Sequence, residues 1–391
     1  LPMYDADDIV DVKNRKKRRK RLIKMSAILL LLCVIAALLF TREKWLPKLR
    51  GIGKQYQTIV NSGKLAEGNY PLEVGNPDYQ MCYSVKKIMV LSDTYLYYYD
   101  IDGTLLKKRQ HAYNKPMLEV ANGRALVYES GGNEYSFEDE EEVFYSKTYD
   151  EEYILFARLS SEGYTAAVTT CDNYSCRLWV YDKKGRLVYD RKCIEHVSDV
   201  NFIDGSAGCV LSYIKAENGK LTTHVQELDF KEKKEKWTSP GLNTLGLEIR
   251  GSSEGAFVYG LDACGYVDKS GQIATFYTYD GEFADAASMS GRSVVLVNNK
   301  DARKYTAALF AGSGEDPVVI DLDSPGMDAT VFGGLALIMT KDKINAYDFD
   351  GTLRSTASIS DSYTGFVKSD DHIFLKGYNK IDRIDYDTGN N

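Results

Sequence analysis

Asp348-Phe349-Asp350-Gly351-Thr352-Leu353 sets two aspartates one residue apart ahead of a glycine. Those residue types suit phosphoryl transfer, with the first carboxylate attacking phosphorus and the second handling the proton. Asp-x-Asp-Gly also opens many calcium loops. Yet the phrase returns at Asp100-Ile101-Asp102-Gly103-Thr104-Leu105, and one active site needs one copy. Phosphoryl transfer also needs the motif at the end of a central parallel strand, a helix behind it, and a later Lys and acids for Mg²⁺. Only 38 residues follow Leu353, and they read as strands. The calcium loop lacks its downstream bidentate Glu. A hairpin turn explains every copy, because Asp and Gly permit a tight turn with positive φ. Asp348–Gly351 is therefore read as a turn, and no catalytic, cofactor or metal residue is predicted.

Other candidates are fewer. Six cysteines follow residue 40: Cys82, Cys171, Cys176, Cys193, Cys209 and Cys264. Cys171 and Cys176 bracket a hairpin turn, so a local disulfide between them is a possible pairing, although spacing alone fixes no connectivity. A Cys-x4-Cys metal half-site finds no second half, and the chain has only four histidines. The acidic run Glu138-Asp139-Glu140-Glu141-Glu142 is read as a solvated loop at the turn before the outer strand of the second repeat. No Gly-x-Ser-x-Gly elbow, phosphate loop or His-Glu-x-x-His occurs.

The elements that would position such residues come from the repetition. Looser copies of the turn phrase begin at Asp182 and Asp268, with a last, shorter one at Asp385. From Asp100 the intervals are 82, 86 and 80 residues, each two units of the length of a four-stranded propeller blade. Between the markers run eight pairs of short β-rich segments, from 87–91 with 95–100 to 373–375 with 381–385. The fold expected is all-β: a β-propeller of about eight four-stranded blades, with seven as the alternative. The eighth unit runs out of chain before its outer strand. Tyr70-Pro71-Leu72-Glu73-Val74 is a spare strand upstream whose Pro71 suits an edge, so it is expected to complete the last blade and close the ring.

The chain divides by charge as well. Residues 1–50 hold 13 Lys/Arg against 5 Asp/Glu, leaving 36 basic and 51 acidic residues of the total 49 and 56. An acidic body argues against nucleic acid as its ligand. Residues 22–40 are predominantly apolar, with Lys24 the only charge, and as a helix span about 28 Å, the thickness of a bilayer core. Lys16, Lys17, Arg18, Arg19, Lys20 and Arg21 precede this stretch, and Trp45 follows as an interfacial anchor. The expected layout is a basic cytoplasmic tail (1–21), one transmembrane helix acting as a signal anchor (22–40), a juxtamembrane stalk (41–69) with a short helix around 55–60, and an extracellular propeller (70–391). A cleaved signal peptide is the rival for 22–40.

Asn122–Ser136 (NGRALVYESGGNEYS), Gly163–Val168 (GYTAAV) and Leu178–Asp182 (LWVYD) resemble a domain-of-unknown-function family. Its members are membrane-anchored β-propellers of Gram-positive bacteria, distantly similar to quinoprotein-type and WD40-type propellers. The resemblance implies the fold and a cell-membrane location, and brings no catalytic motif. The function expected is a binding or scaffold module with an envelope protein or cell-wall component as partner. The alternative is an extracytoplasmic enzyme, a glycan hydrolase or quinone-dependent dehydrogenase, with acids or arginines converging on the central channel.

Overall fold

Every internal copy of the turn phrase closes a hairpin of one design. At the first, Gly103 N donates to Asp100 O at 2.9 Å and Asp100 N to Thr104 O at 2.9 Å. Gly103 takes φ +88°, and the strand register slips between Tyr98 and Tyr99. A tight turn followed by a glycine bulge needs a residue free of a Cβ at that point. Asp102 finishes the turn by accepting Thr104 N at 2.8 Å. The turns at Asp182, Asp268 and Asp348 repeat the paired backbone bonds and the positive-φ glycine. Asp350 accepts Thr352 N at 2.9 Å, and Asp348 pairs with Arg354 at 2.7 Å. The would-be nucleophile thus sits between antiparallel strands. Asp385 ends a strand and marks no hairpin, because the strand after it comes from elsewhere in the chain.

The computed structural model describes residues 58–66, 68–217, 219–312 and 314–388. The basic tail, the 22–40 span and Trp45 lie outside them. Among the described residues no helix is long and apolar enough to cross a membrane.

The described strands form eight sheets, each a blade; seven hold four strands in chain order from inner to outer, and the eighth takes its outer strand from upstream. The blades cover residues 80–110, 116–148, 154–193, 196–238, 246–278, 282–322, 328–358 and 365–385. The four turn phrases join the third and outer strands of blades one, three, five and seven. The expected eight-bladed propeller is the fold.

Eight hydrophobic clusters hold the ring, one at each seam between neighbouring blades. Met89, Leu91 and Tyr98 meet Leu118 and Val127 between blades one and two. Ile88, Val90 and Tyr79 meet Phe374, Ile381 and Leu72 where blade eight returns to blade one. The second and third strands of each blade face such a seam on both sides, and are therefore near-continuous apolar runs.

Two short strands from upstream lock the ring. Strand β1 (Ile59–Asn61) lies parallel to the outer strand of blade seven, Ile59 opposite Ser355. Strand β2 (Leu72–Glu73) supplies the missing outer strand of blade eight, Leu72 opposite Ile381. Tyr79 adds a clasp, donating to Gly377 O at 2.9 Å and Lys380 O at 3.0 Å. The closing strand falls where expected. Residues 59–61 are extended where a short helix was expected, since Ile59, Val60 and Asn61 gain ladder bonds from an unpaired edge. The Asn61 side chain joins them, with Asp387 N donating to its Oδ1 at 2.7 Å.

Candidate functional site

Inner strands line the ring's axis, and each brings one or two polar side chains to it. Arg158 of blade three reaches both neighbours. Its Nη1 bonds Glu119 of blade two at 2.9 Å, and its Nε and Nη2 hold one oxygen of Asp199 of blade four at 2.9 and 2.8 Å. The other Asp199 oxygen accepts Ile249 N of blade five at 2.9 Å. Arg250, beside Ile249, pairs with Glu248. Four successive blades are thus linked by one run of charges.

The electrostatics follow from crowding. Burial raises the Glu119 carboxyl, against the pull of Arg158 and Arg250. Burial would lower the Arg158 guanidinium, but Asp199 and Glu119 outweigh it and raise it. Asp199 is 0 % exposed, whereas Glu119 is 32 % and Arg158 20 % exposed, so the upper part of the run meets water.

On the other side of the ring the same device appears with two acids. Asp285 of blade six accepts Ala329 N at 2.7 Å, and Asp328 of blade seven accepts Phe366 N at 2.7 Å. The two carboxyls lie within hydrogen-bonding reach of each other, so that a proton held between them would relieve their repulsion. Burial, then the neighbouring Asp285 charge, pushes Asp328 up to about 7. Gln80 makes the corresponding link from blade one to blade two, with Leu118 N donating to its Oε1 at 3.0 Å. Gln80, Asp199, Asp285 and Asp328 therefore act first as rungs, each accepting the next blade's backbone N–H.

Arg158 spends its donors on two carboxylates, and Asp199 has a partner on each oxygen. Among the described residues no group of three or more His, Cys, Asp or Glu side chains is placed to hold a metal. The sequence carried one faint signal for these residues: a lone charge inside a short apolar run, as at Leu118-Glu119-Val120 and Ala157-Arg158-Leu159.

The residues singled out from sequence fall elsewhere. Cys171 stands opposite Tyr174 across a turn at Asp172 and Asn173, so it does not face Cys176. Cys176 lies two residues further on, buried on the face shared by Leu178 and Val180, and its cross-strand neighbour is Cys193. All six described cysteines are free thiols. The acidic run is corrected too. Glu138 is buried, bonded by Arg109 Nε at 2.8 Å and Tyr98 Oη at 3.2 Å, and Glu140 pairs with Lys87. Asp139 caps the turn, accepting Glu141 N at 2.8 Å. Beside Glu138 a cavity of about 250 Å³ opens between blades one and two, lined by Arg109, His111, Tyr113 and Glu134. Lys16 to Arg21 and Trp45 lie outside the described residues.

Residues 71–240 match DUF5711, a family of unknown function. The matched stretch runs from the closing strand through blade four. No curated protein matches the chain. Among solved structures, the computationally designed Ika8 protein is similar at 15 % identity and TM-score 0.60, covering 84 % of this chain and 100 % of that one. Sqt1 of Saccharomyces cerevisiae aligns at 8 % identity and TM-score 0.58, over 85 % of this chain and 100 % of its own. BamB of Moraxella catarrhalis aligns at 8 % identity and TM-score 0.54, over 82 % of this chain and 99 % of its own. At these identities the likeness is one of fold alone.

Proposed function

We propose that the chain is a membrane-anchored binding or scaffold module whose propeller lies outside the cytoplasm and recognises an envelope protein or cell-wall component. The observation that carries the binding half is the saturation of the axis. Every acid and arginine described there is bonded to a neighbouring blade or to another charge, which makes a stiff platform. The anchor rests on the apolar stretch 22–40 and the basic residues before it.

Acids and arginines do converge on the channel, as an enzyme would require, but the pair Asp285 and Asp328 lies too close for glycan hydrolysis. A hydrolase needs its two carboxyls about 5–9 Å apart with the sugar between them. Asp285 and Asp328 instead sit within hydrogen-bonding reach of each other.

The test is proximity labelling on the membrane-embedded protein, with and without residues 58–391. Envelope proteins or wall fragments labelled only by the full chain support the module. Equal labelling without the propeller refutes it. A C-terminal reporter fusion tests topology, and cytoplasmic activity there overturns the outward orientation.

A further inference from the structure

Cys176 and Cys193 occupy facing positions on the third and outer strands of blade three, in register with each other. Directly opposed residues of an antiparallel pair have Cα atoms about 4.5–5.5 Å apart, inside the range a disulfide accepts. Both side chains turn to the same buried face and pack in one cluster with Leu178, Val180 and Tyr189. Neither is spent on a strong partner outside the pair: the sulfurs reach the carbonyls of Glu195 and Arg191, each at a weak 3.8 Å.

We infer that Cys176 and Cys193 form an intramolecular disulfide when the chain folds in the presence of a disulfide oxidant. The Cys176 thiolate attacks one sulfur of the oxidant, a small-molecule disulfide or the disulfide of an oxidoreductase, and expels one thiol. Cys193 then loses its proton and attacks Cys176 sulfur in the mixed disulfide, expelling the second thiol. Two S–H bonds are lost, one S–S bond forms, and the oxidant's S–S bond becomes two thiols. In the finished ring a hydrogen bond from Cys193 lowers Cys176 to about 7 and the same bond raises Cys193, which marks Cys176 as the more readily ionised thiol of the pair. The thiolate is the attacking species in such exchange.

Burial sets the timing. At 0 % and 2 % exposure neither sulfur is open to an oxidant in the finished ring. The bond therefore forms while the hairpin from Tyr174 to Cys193 is made but not yet covered by blade four. Cys209 of blade four then packs into the same cluster and is the competing partner. The inference is independent of the proposed topology, which decides only whether the cell supplies an oxidant.

The experiment refolds the purified full-length chain in a buffer of reduced and oxidised glutathione and counts thiols after denaturation. The count is expected to fall from seven to five. A digest without reductant should contain one linked peptide pair holding Cys176 and Cys193, which separates on reduction. Cys171→Ser is expected to lose two thiols as the parent does, and Cys193→Ser to lose none. Seven thiols remaining in the parent overturns the inference, as does a link joining Cys171 to Cys176 or Cys193 to Cys209. Peptide mapping of the parent decides the matter even if a variant fails to fold.

Discussion

Asp328→Asn tests the idea that the axial acids are rungs rather than reactive groups. Asn keeps an oxygen to accept Phe366 N and gains an N–H₂ that donates to Asp285, so it imitates the protonated acid at every pH. The parent's Asp328 rises from 3.8 unfolded to about 7 folded. A raised carboxyl binds its proton more tightly in the folded state. Its contribution is thus complete below pH 3.8 and is lost as pH climbs through about 7. At 1.36 kcal/mol per pH unit the ceiling of that loss is roughly 4 kcal/mol. Both acids are only partly buried, and water screens them, so about 2 kcal/mol is expected. Urea unfolding of the full-length chain, followed by tyrosine and tryptophan fluorescence from pH 4 to pH 8, reads it out. Asp328→Asn should match the parent near pH 4 and exceed its stability by about 2 kcal/mol at pH 8. A variant less stable than the parent at pH 8, or a gap that does not change with pH, refutes the shared-proton rung.

Three other substitutions probe the ring. Arg158→Met strands Asp199 without its cation at 0 % exposure, and a loss of about 3–5 kcal/mol is expected in the same urea assay. Adding Asp199→Asn should recover part of that loss. Leu72→Ala empties the closing strand's one buried apolar position and should cost about 2–5 kcal/mol, with the 58–74 segment becoming the first site of proteolysis. Gly185→Ala meets both a positive φ of +73° and the Tyr145 ring at 2.9 Å, so a loss of about 1–3 kcal/mol is expected by thermal unfolding. A neutral result there would show that the turn phrase is a tolerated spelling rather than a required one.

Much of the ring could be read from residue order alone, for a physical reason. The second and third strands of each blade are covered on both faces, so runs such as 88–91 and Leu335–Met339 are apolar throughout. All eight pairs read from sequence are these two strands. Inner strands such as Gln80–Ser84 and outer strands such as Leu105–Gln110 are half-covered and carry no such run. The Asp-Gly turns betray blade spacing because a glycine bulge tolerates few spellings. Pro71 and the unfinished eighth unit together reveal the closing strand. Strand β1 was not legible, since three residues added parallel to Leu353–Ser358 depend wholly on the edge they meet. The axial charges were hidden because Glu119, Arg158 and Asp199 come from separate blades. Cys171 with Cys176 was misread because the turn centres on Asp172 and Asn173, which moves Cys176 past its supposed partner.

The closing strand also imposes a schedule on the chain's birth. Leu72 must find Ile381, and Ile59 must find Ser355, so strands made among the first are completed only by residues made among the last. At about 5–20 residues per second, some 300 residues of synthesis keep β1 and β2 waiting for roughly 15–60 s. Through that interval blade eight does not exist and blade one has a naked flank, with Ile88, Val90 and Tyr79 uncovered. In the finished ring that flank is covered by Phe374, Ile381 and Leu72. In the nascent chain it lies open, at a fixed place and for a predictable time, and a holding chaperone or a stray copy of the same chain would meet it there.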